Sequence, residues 1–166
     1  MASRISCVRA TLAGLTFGAC APTAMLAQSR ESDSVAAHVL APAVVNLLDD
    51  EIARAAFGHE NVIRLELPSG PEWSRIGSHV LRVVNGRAPA PGDRFYTIVT
   101  VTHVRMVGDR LFADMEKAMH QVCKPGDEAS TGTAYEARAE KVGRAWTHVE
   151  LTPSTTWDGG CIEEPE

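Results

Sequence analysis

The sequence predicts an α+β domain with two helices packed on a curved, mainly antiparallel four- to five-stranded meander sheet. Three observations carry that prediction. Apolar residues recur twice at helical spacing before residue 85. From Arg94 onward the pattern becomes alternation among β-branched and aromatic residues. Short glycine turns then cut this second half into hairpins. The 166 residues, 45% of them hydrophobic, suffice for one domain with its own core. A formal charge of −5 excludes a general nucleic-acid binder, which needs a basic surface.

The first residues read as a targeting segment. Arg4 and Arg9 are the only charged side chains between Met1 and Gln28, a weakly apolar run spans Ala10 to Ala21, and small residues lead to Ala27. A basic start, a short apolar middle and a small residue before a polar one form the secretory-signal pattern, so residues 1–27 are expected to be a signal peptide. The run is too short and interrupted for a transmembrane span, which needs roughly 20 apolar residues. Phe17-Gly18-Ala19-Cys20 offers a second processing route, a lipid anchor on Cys20, against which Phe17 stands where leucine is preferred. The dominance of Arg over Lys suggests a GC-rich bacterial source and thus a periplasmic or secreted protein. Removal of Arg4 and Arg9 takes the formal charge from −5 to −7.

Residues 28–39 are small and polar and read as a flexible leader to a domain over 40–152. The first helix follows from Leu40, Val44, Leu48, Ile52 and Ala56, one turn apart, with Asp49, Asp50, Glu51 and Arg54 opposite. Pro42 falls in its first turn and Gly58 ends it. A short strand over 61–67 buries Ile63, Leu65 and Leu67. Ser69-Gly70-Pro71-Glu72 has the capping-box form and starts a second helix through Trp73, Ile76, Val80 and Val84, stopped by Asn85-Gly86. The β-branched run 79–84 is compatible with a strand, but the cap and stop favour a helix. After a loop over 87–93, Arg94–Val107 and Arg110–Val122 form a long hairpin about Gly108-Asp109. Its expected core face holds Ile98, Val104, Met106, Leu111, Ala113, Met115 and Met119, with Lys117 an exception near an edge. Residues 123–133 read as a loop, and 134–142 with 145–152 as a second hairpin about Gly143-Arg144.

In the mature chain only Cys123 and Cys161 remain, and in an oxidising compartment they are expected to pair. That bridge would tie the C-terminal tail, 153–166, to the end of a core strand. Neither a Cys-x-x-Cys redox motif nor two further ligands for a metal accompany them.

The element order, with the stretches VRMVGDRLFADME and YEARAEKVGRAWTHVEL, resembles the cone-shaped fold of nuclear transport factor-like, polyketide-cyclase-like and ketosteroid-isomerase-like proteins. The resemblance spans about Leu40 to Thr152 and is one of order and texture; a cystatin-like fold is the rival. It implies a curved sheet wrapped around helices but transfers no catalytic residue, and such a fold hosts enzymes and binders alike.

Two constellations point to chemistry. The long hairpin sets His103 across from Asp114, and a carboxylate beside an imidazole fixes its tautomer for acid–base work. The same pair is also an ordinary solvated cross-strand contact, the commoner case. The second hairpin sets His148 opposite Ala139, on a face with Tyr135, Ala137, Trp146 and Glu150; if the aromatics point inward, His148 and Glu150 line a pocket. A structural histidine is the plainer alternative. No metal spacing among the histidines, phosphate-binding loop, nucleophile elbow or cofactor motif is visible. The expected function is therefore a non-catalytic exported binding or interaction protein for a small apolar ligand or a protein partner. The alternative is a small isomerase, dehydratase or hydrolase built on a His–carboxylate pair.

Overall fold

A computed structural model describes residues 22–124 and 127–161. Most of the expected signal segment, Cys20 included, lies outside these residues. Among the described residues no helix is long and apolar enough to cross a membrane. The elements are α1 (Pro22–Asn46), α2 (Asp49–Ala56), β1 (Asn61–Glu66), α3 (Pro71–Val83), β2 (Gly86–Arg87), β3 (Phe95–Val107), β4 (Arg110–Lys124), β5 (Asp127–Val142), β6 (Ala145–Trp146) and β7 (Glu150–Asp158). The fold is α+β, with three helices where two were expected. The seven strands form one curled sheet in the order β2-β1-β3-β4-β5-β6, with β7 also on β5. The sheet is mixed: β1 runs parallel to both β2 and β3, and the rest is antiparallel. The α3 crossover between β1 and β3 makes that parallel pairing possible.

Two expectations fail in the helices. The supposed leader is helical: α1 runs from Pro22, and Ala36 and Ala37 are fully buried beside Leu40 and Val44. Alanines placed at helix–sheet contacts let backbones approach closely, which composition alone reads as a small-residue linker. Pro42 accordingly sits deep inside α1, not in a first turn, and has no N–H for the carbonyl of His38. The single helix expected through residue 57 is also broken at Leu47-Leu48, both buried. Asp49, Asp50 and Glu51 then open α2, where acidic side chains suit the helix N-terminus. The break turns Glu51 inward, so a residue expected on the solvent side is 2% exposed.

The second helix is present as expected, and 79–83 belong to it. Its N-cap is Gly70 and no side chain caps it; Glu72 pairs with Arg75 at 2.7 Å and not with Ser69. Asn85, with φ of 47°, takes the left-handed conformation that ends such helices.

A register shift reorganises the long hairpin. Val107↔Arg110 to Arg105↔Phe112 follow the tight turn, but from Thr102↔Asp114 back to Phe95↔Gln121 the pairing is displaced by one residue. One extra residue flips the faces beyond it. Val99 and Val101 therefore enter the main core with Met115, while Ile98 leaves it for the opposite face, beside Ala118. Met119 is 56% exposed, although its ladder partner Thr97 is buried beneath Glu51 of α2. Lys117 is not at an edge: it stands on the inner face of a strand paired on both sides.

Of the expected loop 123–133, the described residues are strand instead. β4 continues to Lys124, and β5 begins at Asp127. Its polar small residues serve packing: at Gly132 a Cβ would lie 2.5 Å from the Trp157 ring and 2.6 Å from the Lys117 carbonyl oxygen. The tail is strand too, since β7 pairs with β5 as far as Thr131↔Asp158. Past β7, Cys161 is bonded to Cys123, closing the disulfide over 38 residues.

Candidate functional site

Two surface grooves contain the histidines singled out in the sequence. The larger, of about 790 Å³, lies between α1 and the β6–β7 connection. Its origin is local. Lys141 pairs with Trp146, but Arg138 pairs with Glu150, so the returning chain holds one more residue than its partner. Thr147 anchors the excess, its N–H donating to the Glu140 carbonyl at 2.8 Å and its hydroxyl accepting from the Glu140 N–H at 3.0 Å. His148 and Val149 are thereby set against α1.

On the helix side, Val35, Val39 and Ala43 face this groove at i, i+4 and i+8, one stripe of a helix. Trp146 and Val149 face them and pack on the core. The rim is polar, with Ser34, His38, Asn46, Thr147 and His148. An apolar floor with few polar groups is the usual form of a small-molecule site. His148 thus lines a groove with Trp146, one walled by α1 and open to solvent where the sequence suggested a pocket within the sheet. Glu150 does not: it is exposed, lies opposite Arg138 and takes no part in the lining. The expected pairing of His148 with Ala139 is lost to the extra residue.

The second groove, of about 600 Å³, runs beside the bulge in β3. His103 sits in that bulge with φ of 49°, a left-handed conformation that residues with a side chain adopt uncommonly. Its Nδ1–H donates to Asp114 Oδ2 at 2.8 Å, although the ladder partner of Asp114 is Thr102. The anticipated His103–Asp114 contact therefore exists through the bulge, not through direct opposition. Both side chains are open to solvent, 80% and 60% exposed. Glu66, Ser69, Trp73 and Thr100 complete the groove wall, with Thr100 3.4 Å from Glu66.

A third polar group is structural. Glu51 Oε2 accepts from Lys117 Nζ at 2.9 Å, and Oε1 accepts from Thr97 at 2.8 Å and Arg54 at 3.1 Å. Asn61 binds the Glu51 carbonyl at 2.8 Å and the Val84 carbonyl at 2.7 Å, fastening α2, β1 and α3 together. The lone lysine on an apolar strand face was the sequence signal that an opposite charge had to be buried nearby. His38 escaped notice because its segment read as a leader.

At the base of β3, Arg87 grips Asp93 with two hydrogen bonds of 2.6 and 2.7 Å and reaches Glu60 at 2.9 Å. The guanidinium, with the Ala90 N–H, holds the Asp93 carboxyl down at about 2. This clamp shapes the loop ahead of β3 and touches neither groove. Compared with family models, with curated proteins and with solved structures, the chain matches none.

Proposed function

We propose that the protein is an exported, non-catalytic binding protein that holds a small apolar ligand between α1 and the β6–β7 connection. The observation that carries the reading is the groove itself, an apolar floor of Val35, Val39, Ala43, Trp146 and Val149 under a polar rim. Export to a bacterial periplasm or beyond is supported by the signal-like first 27 residues and by the Cys123–Cys161 pair. The same reading keeps the resemblance to the cone-shaped fold, in which helices fill the hollow of a curled sheet. The intact mass of the exported chain distinguishes cleavage after Ala27 from lipidation at Cys20.

The binding test uses the uncharged fluorophore N-phenyl-1-naphthylamine. Saturable 1:1 binding is expected, with energy transfer from Trp146 that disappears in Trp146→Phe. Val35→Arg, which puts a charge on the floor, is expected to weaken binding at least tenfold while the thermal melt stays cooperative. Absence of saturable binding, or equal binding by Val35→Arg, defeats the reading.

One observation favours a second reading, an acid–base enzyme at His103. A strained backbone that aims an imidazole already oriented by a carboxylate is a feature of catalytic sites. With Nδ1–H given to Asp114, Nε2 is left as the base for an isomerisation, dehydration or hydrolysis. Any such activity should fall at least a hundredfold in His103→Gln; unchanged turnover removes this reading.

A further inference from the structure

The outer crest of α1 is formed by His38, Pro42 and Asn46, spaced four apart and all exposed. These three residues wall the apolar groove described above. They also wall a second hollow of about 720 Å³ on the other side of the helix, between α1 and α3. The two are the sides of one saddle, separated only by a helix about 10 Å across.

The sides differ in chemistry. Toward β6–β7 no Asp, Glu, Lys or Arg side chain lines the saddle. Toward α3 it has a floor of Ala41, Val45 and Ile76 beneath Arg82 and His79. The one carboxylate there, Glu72, is neutralised by Arg75 at 2.7 Å. Arg82 has no carboxylate within ion-pair distance among the described residues, as is true also of Arg94, Arg105 and Arg144, whereas Arg54, Arg64, Arg75, Arg87, Arg110 and Arg138 all have one. His38 and His79 add ring N–H donors beside it.

Resting on the apolar-ligand reading, we propose that the α1–α3 side of the saddle binds the anionic end of that same ligand. The ligand class is then a single-chain anionic amphiphile, such as a long-chain carboxylate, with its tail against Trp146 and Val149 and its head at Arg82 and His79. A guanidinium with ring N–H donors beside it suits a carboxylate.

The test compares 11-(dansylamino)undecanoic acid with its methyl ester on the exported full chain, by dansyl fluorescence at fixed ionic strength. The acid is expected to bind about tenfold or more tighter than the ester. Arg82→Gln should remove that preference by weakening the acid alone. Arg94→Gln, an equal change of charge at a site away from the saddle, should leave both probes unaffected. Equal binding of acid and ester, with Arg82→Gln silent, overturns the head-group assignment and leaves the apolar groove standing. An acid preference that Arg94→Gln weakens as much as Arg82→Gln reflects bulk charge and overturns it as well. If neither probe binds, both readings fall.

Discussion

Glu51 and Lys117 illustrate how one buried charge organises its surroundings. The Glu51 side chain is 3% exposed and that of Lys117 24%, so their attraction is little screened, but both have been taken from water. Removing Lys117 leaves the buried Glu51 carboxylate with only Thr97 and the half-exposed Arg54. Lys117→Met is therefore expected to cost about 3 kcal/mol in denaturant unfolding, and adding Glu51→Gln should recover a large part of that loss. A double variant as unstable as Lys117→Met would show that the pair is not coupled. His103 makes a different demand, on the backbone. At φ of 49° a glycine is unstrained and a β-branched residue is not. His103→Gly should melt near the parent temperature, whereas His103→Val should lose about 1–2 kcal/mol. Equal losses in the two variants would place the cost in the side-chain contact with Asp114 and not in the main chain. That contact is between exposed groups, where ion pairs contribute little.

The two strands of the long hairpin follow their local pattern except where one residue is inserted. Alternation in β3 and β4 predicts both strands and their turn, yet the bulge at His103 exchanges Ile98 for Val99 and Val101 in the core. Nothing local announces that insertion, because the β-branched Thr100 and Thr102 favour a strand as well as Val99 and Val101 do and are compatible with either face. The β6–β7 connection repeats the lesson, and there the extra residue creates the candidate site. The loop ahead of β3 is held differently, by the Arg87–Asp93 clamp. The Asp93 carboxyl falls from its ordinary 3.8 to about 2, first through the Arg87 hydrogen bonds and then through the Ala90 N–H. A carboxyl lowered in the folded state stabilises above its unfolded value and loses that contribution as pH drops toward the folded one. The stabilisation should thus be whole above about pH 4, fade between about 4 and 2, and be gone below. Thermal melts of the parent should lose more across that window than melts of Asp93→Asn; parallel curves would assign the acid sensitivity elsewhere.

Over the molecule as a whole, helices fill one side of a curled sheet, and a covalent tie holds the last strand. β7 reaches the sheet only through β5, and the Cys123–Cys161 bond joins the chain after β7 to the end of β4. A loop of 38 residues closed in this way contributes on the order of 4 kcal/mol in the chain-entropy account. Replacing both cysteines by alanine should lower unfolding free energy by about 2–4 kcal/mol, with hydrogen exchange accelerating first in β7. Uniform acceleration through the sheet would mean that β7 and the core open together. By itself the sequence determined that the protein is α+β, where its second helix and long hairpin lie, and that two cysteines pair. Each of these rests on periodicity or counting, which neighbouring residues carry locally. Only the tertiary structure decided that the polar stretch before Leu40 is a helix with buried alanines, that Glu51 points inward, and that the tail is a strand. It also placed His148 with Trp146 against α1 and left Glu150 outside. Those outcomes depend on partners distant along the chain, and on single inserted residues that change which face of a strand meets the core.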